Sequence, residues 1–469
     1  MTLESDTDTT TNRRETRLTR GSLVKGGLVA AGATMFAGVP EAAARVFITK
    51  KSVTLNLWTW GWPTILPNTN VDPVKQSFEK RHSNITLNVK IFGYPDYLVA
   101  MRTGLPARSF GDLFLIPIAS VGRQYHNFML PLDSFVARDF PKNYKKQYLP
   151  GVFHLVQRYS PQGQLLAMPI LASIGSIMWY SQKALAKVGV GVPKSYAELR
   201  SQVPKYKAAG IVPIAWGAKD LWSVPDWVVS NSSQFKPNIA TDAEIGKASF
   251  THPALVATLE FIAQSVKEGV YNADPFSTNN VPDALLNGFD AGKAAMASLG
   301  TYWRGFGLTV PGAQDDWRGF LFPRMPGAPN RRTFTGVASG FPVATGNNPS
   351  RPWSTATGFA IRKGVSKKTA AAAWEFLADG MSYKGQQSYA GWNSTSRRDI
   401  HLHRIHPEFG KFLDWQNSLF EIAVLRDFLY PEVNDAITSA VANVVVNGQN
   451  ARSALAAVDK VAKQARKKG

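Results

Sequence analysis

The chain has 469 residues, 44% apolar and 18% charged, with no cysteine and a formal charge of +20. Single hydrophobic cores stop growing near ~250–300 residues, so two or more lobes are expected. Without cysteine there is no disulfide, thiolate zinc site, cysteine nucleophile or lipid-carrying bacterial N-terminus, and no run of about 18 apolar residues is present to span a membrane.

Residues 1–44 read as an export signal. A basic segment ends at Lys25, a Gly/Ala-rich apolar segment runs from Gly26 to Val39, and small residues at Ala42 and Ala44 form an A-x-A cleavage pattern. The stretch from Thr19 to Lys25 resembles a twin-arginine signal in which Gly21 replaces the second arginine. The positive charge lies in the remainder of the chain and is spread, apart from the terminal KQARKKG. Spread charge argues against a nucleic-acid groove and leaves open an anionic ligand or acidic surroundings.

From Ser52 the pattern alternates. VTLNLW predicts a strand, VKQSFEKRH an amphipathic helix, ITLNVKIF a strand, YPDYLVAMRTGL a helix, and the continuous apolar DLFLIPI a buried parallel strand. A second block begins near Leu166. LLAMPI and SIGSIMWY read as strands, QKALAKVG as a helix stopped by Gly189, and SYAELRSQVPKYKAAG as a helix opened by a Ser195/Glu198 capping box and weakened by Pro204. IVPIAWG is a strand, HPALVATLEFIAQSVKEG a strongly periodic helix, and GKAAMASLG a short strand. TGFAIRKG is a further strand, TAAAAWEFLADG a helix closed by Gly380, and the tail two helices. Short links between alternating helices and strands predict an α/β fold with open sheets.

No P-loop, dinucleotide glycine fingerprint or H-E-x-x-H occurs. GVASGFP around Ser339 is not a nucleophile elbow, and no carboxylate pair stands out. HLHRIH, with His401, His403 and His406, reads as an exposed basic segment in preference to a metal site. What does stand out is aromatic residues at strand ends: Trp58, Trp60 and Trp62, then Trp216, then Trp222 and Trp227, then Tyr302 and Trp303. In open α/β sheets ligands sit beyond the carboxyl ends of strands. Aromatic faces there suit sugars, whose C–H faces are apolar and whose rims carry hydroxyls. If the VTLNLW strand continued, Trp58, Trp60 and Trp62 would share one parity, opposite Val53, Leu55 and Leu57. Trp58 is expected to be partly core, and Trp60 and Trp62 to line a cleft.

The order of segments resembles the extracellular solute-binding proteins of carbohydrate ABC importers, the maltose-binding-protein-like family. The resemblance rests on LNLWTW, FEKRH, YPDY, Asp112 opening an apolar strand (with Gly111 where the family has proline), MLPLDSF, MWYSQKALAKVGVGVPKSYAEL, GKAAMASLGTYW and AAAAWEFLADGMSYKGQQSYA. It implies a type II two-lobed binding protein: residues 45–165 and 335–400 in one lobe, 166–334 in the other, and helices over 401–469 packing back. A hinge would let the lobes close on ligand between them. It further implies a monomer without catalysis or cofactor that carries a carbohydrate to permease subunits, binds no nucleic acid, and works on the exported face of the membrane. By the resemblance, Trp58, Trp60, Asp112, Trp222, Tyr302 or Trp303, Ser339 and Trp392 are candidate ligand contacts. Two alternatives stay open. One is an anionic solute such as a sugar phosphate or acidic sugar, for which Arg304 and Arg123 are the arginines to inspect. The other is a secreted polysaccharide-active enzyme.

Overall fold

The structure is a computed structural model, and it describes residues 52–60, 72–116, 118–219, 222–330, 348–389, 395–401 and 407–468. Residues 1–44, read above as an export signal, and Trp62, Ser339, Trp392, His403 and His406 lie outside the described residues.

In β1 (Val53–Thr59) the alternate residues Val53, Leu55, Leu57 and Thr59 are buried, while Thr54, Asn56 and Trp58 face the other way. This is the period-two pattern of a strand with one face on a core. β1 pairs in parallel with β2 (Ile85–Ile91) and with β3 (Leu113–Ile116). The helices Asp72–Arg81 and Tyr94–Gly104 make the crossovers. β4 (Met168–Gly175) and β9 (Trp353–Ile361) are antiparallel to each other, β9 is antiparallel to β3, and the two-residue β10 (Val424–Leu425) lies along the start of β9. The result is a 6-stranded mixed sheet in the order β10-β9-β3-β1-β2, with β4 also on β9.

A second, 4-stranded sheet has the order β6-β7-β5-β8. Its strands are β5 (Ile177–Ser181), β6 (Val212–Ala215), β7 (Ala294–Leu299) and β8 (Trp317–Leu321). The chain changes sheets at Ser176, whose φ of 55° turns β4 into β5. Gly175, just before it, is required by packing: a Cβ there would lie 2.0 Å from the ring of Trp353. The second sheet is covered on both faces. In β5, Ile177 and Trp179 belong to one apolar cluster, which continues into the first sheet, and Met178 and Tyr180 belong to another. The second cluster also holds the buried faces of the helices Tyr196–Ala208, Pro253–Lys267, Pro431–Asn447 and Ala451–Lys468.

Local expectations meet several departures. Ser195 Oγ accepts from the Glu198 N–H at 3.1 Å, but the Glu198 carboxylate returns to the Lys194 N–H at 2.8 Å instead of to Ser195. Pro204 does not interrupt its helix, which runs to Ala208. Gly380 does not close the helix Lys367–Met381. It sits inside the helix, where a Cβ would meet Ile170 of β4 at 2.6 Å, so its role is close packing. Strand β8 was not anticipated, and the helix Pro407–Ser418 lies in the 401–469 stretch expected to be helical but was not delimited there. β9 begins at Trp353, four residues before the predicted TGFAIRKG strand.

Candidate functional site

Aromatic side chains from both sheets converge on one arginine. Trp60 follows β1 directly and lies 5.5 Å from Tyr94 and 5.2 Å from Tyr97, ring centre to ring centre. Tyr94 is the first residue of the helix after β2, and the charges of Arg426 and Asp427 act on its phenol. Arg426 follows β10 and stands over the Trp353 ring at 4.6 Å, within the range of a cation–π contact. Trp353 is parallel to Tyr302, with centroids 6.4 Å apart and planes at 10°. Tyr302 meets Trp222 edge-on at 6.2 Å. Tyr302 follows β7, and Trp222 lies in the loop between β6 and the helix Val224–Ser232. Trp60, Tyr94, Trp222 and Tyr302 are half-buried, so each keeps ring surface open.

The charges are arranged as a triad. Arg426 Nε donates to Asp226 Oδ1 at 2.7 Å, Nη1 reaches Asp427 Oδ1 at 3.4 Å, and Nη2 reaches the Trp222 carbonyl at 3.4 Å. Asp427 Oδ2 accepts from Thr355 Oγ1 at 2.5 Å, which fixes it against β9. Burial raises the Asp226 carboxyl to about 6, against the pull of Arg426 in the other direction. For Arg426 burial works to lower the pKa, but the two aspartates outweigh it and hold the guanidinium charged. Two carboxylates thus face one guanidinium, and Arg426 brings no uncompensated positive charge to the aromatic cluster.

The model of the family described as bacterial extracellular solute-binding protein matches residues 67–387. The chain belongs to that family. Solved structures similar to this solute-binding protein include maltose-bound MalE3 of T. maritima, with TM-score 0.69, 16% identity, and 88% of this chain and 100% of that chain covered. A solute-binding protein of Thermotoga lettingae bound with α-D-tagatose gives TM-score 0.70 at 18% identity, over 88% of this chain and 99% of that chain. The GacH receptor of Streptomyces glaucescens, solved without ligand and with acarbose, gives 0.67 at 16%, over 89% and 99%. These likenesses establish the two-lobed fold. Binding proteins of Brucella abortus and Brucella suis are 23% identical over 265 residues, 51% of this chain and 62% of theirs.

In this solute-binding protein the residues predicted as contacts separate into groups. Trp222 and Tyr302 are brought together beside Arg426, and Trp60 packs on Tyr94, on whose phenol the Arg426 charge acts. Trp58 lies inside β1, packed edge-on against Phe110 at 4.7 Å and beneath Lys90 Nζ at 4.6 Å. Gly111 makes room for it: a Cβ at 111 would lie 2.8 Å from the Trp58 ring. Three predicted contacts are placed elsewhere. Asp112 braces the first sheet, since its Oδ2 accepts from the backbone and side-chain nitrogens of Asn56 at 3.1 and 3.0 Å, and Arg362 pairs with Oδ1 at 3.3 Å. Trp303 is buried, with Nε1 donating to Asp290 at 3.2 Å. Arg304 is fully buried beside the helix Pro407–Ser418, donating to Gln416 Oε1, Leu413 O and Asn417 Oδ1. Burial lowers its pKa to about 9, countered only in part by Asp414. Trp216 and Trp227 are also core, the first tilted against Tyr271 and the second edge-on to it.

Sequence reasoning missed Tyr94, Asp226, Trp353, Arg426 and Asp427. Asp226 stands within DLWSVPDW, between two tryptophans already singled out, and that was its available signal. Arg426 and Asp427 sit in an apolar stretch whose partners are some 200 residues away in the chain, at Asp226. Among the described residues no group of three His, Asp or Glu side chains could hold a metal ion, and no helix is long and apolar enough to cross a membrane.

Proposed function

We propose that this protein is the exported substrate-binding component of an ABC importer, and that it captures a neutral sugar or oligosaccharide between its lobes for delivery to membrane permease subunits. The observation that carries the reading is the half-buried ring cluster contributed by both sheets, Trp60 and Tyr94 from one and Trp222 and Tyr302 from the other, around a neutralised Arg426. Rings supply stacking area for C–H faces, while the N–H groups Arg426 does not spend on Asp226, Asp427 and Trp222 read hydroxyls. The similar structures bound to maltose, tagatose and acarbose support the same class of ligand. The anionic alternative loses the support of Arg304, which is enclosed, and the arginine at the ring cluster, Arg426, is already paired. We further propose that residues 1–44 direct export through a twin-arginine-like route, and that the mature protein is a monomer without catalysis.

A thermal-shift panel tests this reading. Neutral mono- and oligosaccharides should raise the melting temperature by mass action, and sugar phosphates and uronates should not. A response confined to the anions would overturn it, as would release of shortened sugars during incubation.

A further inference from the structure

Among the described residues, the β4–β5 junction and the segment 424–430, which leads from β10 to the last two helices, join the sheets. The segment 424–430 is gripped from both sides. From the second sheet's side, Asn238 Oδ1 accepts from the Leu425 N–H at 2.9 Å, and Glu244 Oε1 accepts from the N–H groups of Leu429 and Tyr430 at 2.6 and 2.9 Å. From the first sheet's side, Arg158 Nη2 donates to the Asp427 carbonyl at 2.8 Å.

Arg158 follows the helix Val152–Gln157, which packs on β4 and β9, and Glu244 ends the helix Ile239–Glu244, which packs among the helices of the second sheet. Each has a buried group left over. Arg158 Nη1 and Glu244 Oε2 are both without solvent contact and without a hydrogen-bond partner. No direct bridge joins them; after burial, Asp427 and then Glu244 act on the Arg158 charge, and Arg158 acts in turn on Glu244. A buried cation and a buried anion, each bonded to the same segment from opposite sides and each with an unused group, attract one another across it.

We propose that Arg158 and Glu244 form a charge pair across the hinge, which fixes the angle between the lobes in the ligand-free protein through the 424–430 segment. It is independent of the identity of the solute. The other charged groups around Glu244 are Asp427 from the crossing segment, which opposes its charge, and Arg466 of the last helix, which is spent on the carbonyls of Ala243 and Glu244. Burial raises the Glu244 carboxyl to about 7, and Arg158 and the Leu429 and Tyr430 N–H groups work against that rise.

The chain has no cysteine, so two spin labels can be placed without background. Gln76→Cys and Lys207→Cys are exposed sites on the helices Asp72–Arg81 and Tyr196–Ala208. In the labelled full chain without sugar, at pH 8, Glu244→Gln and Arg158→Met should each broaden the interlobe distance distribution and lower the melting temperature. The double variant should recover at least half of the loss in melting temperature, because no unpaired charge remains buried. Lowering the pH from 8 to 6 should broaden the distribution of otherwise native protein and leave that of Glu244→Gln unchanged. Strictly additive melting losses, or distributions that neither variant nor pH alters, would overturn the proposal. If a single variant does not fold, the double variant and the pH series still decide it. A failure here leaves the sugar reading standing, since no sugar is present.

Discussion

The carboxyl ends of the two sheets carry aromatic residues by different local geometries. After β1 the period is two, so Trp58 and Trp60 fall on one side of the strand and the residues between them on the other. Distance along the strand then separates the two. Trp58 lies beside Gly111 and packs on Phe92 and Phe110, while Trp60 has passed the strand's end and meets Tyr94. After β7 the chain enters a single 3₁₀ turn, Thr301–Trp303, in which successive residues point about 120° apart. Tyr302 therefore reaches Trp222 and Trp353, while its neighbours Trp303 and Arg304 turn into the lobe. Alternation separates neighbours into two faces, whereas a tight turn scatters them, so adjacency in sequence is a poor guide to shared function after β7.

The largest effect should come from breaking the buried side of that turn. Trp303→Ala should cost about 3–5 kcal/mol of stability by cavity formation, read by denaturant unfolding. Sugar affinity of the fraction that remains folded should be nearly unchanged. Tyr302→Ala should show the reverse, losing affinity with a smaller change in stability. Next, Trp60→Ala or Trp222→Ala should weaken sugar binding by about 2 kcal/mol, roughly thirtyfold, as is usual for a central aromatic anchor. Trp58→Ala should instead appear mainly in unfolding curves.

Gly111→Ala sharpens the first-sheet half of the comparison. The added methyl meets the Trp58 ring and the Asn56 and Leu113 carbonyls at 2.8–2.9 Å. A loss of about 1–3 kcal/mol is expected from overpacking, with Trp60-dependent binding retained. An unchanged midpoint would mean that Trp58 is free to move.

The smallest effect concerns pH, on the helices that back the first sheet. Burial lowers the pKa of His82, but hydrogen bonds to Asp379 and Glu375 outweigh it and raise the imidazole to about 9. Because the folded value lies above the unfolded one, the contribution is complete below pH 6.5 and disappears as pH rises towards 9. After discounting for solvent screening it should be about 1–2 kcal/mol. His82→Gln should flatten the stability profile between pH 6.5 and 9, and a native profile already flat there would contradict the assignment.

The sequence carried the elements with strong periodicity. The alternation in VTLNLW and the apolar stripe of HPALVATLEFIAQSVK correspond to β1 and to the helix Pro253–Lys267. It carried less of β8 and of the helix Pro407–Ser418, whose polar residues (Arg318, and Gln416 and Asn417) are spent on partners distant in the chain or on local carbonyls. Single tryptophans were legible as a class but could not be sorted, since Trp216, Trp227 and Trp303 are core while Trp222 is not. The charged centre was not legible. Arg426 acquires its meaning from Asp226 and Trp353, and only the fold brings those three together.

The central claim is that both lobes grip one neutral sugar through Trp60 and Trp222. Calorimetric titration of the neutral sugar giving the largest thermal shift, against native protein, Trp60→Ala and Trp222→Ala, tests it most directly. Roughly thirtyfold weakening in each variant, with folding intact, is the predicted result. Native affinity in either variant would contradict it.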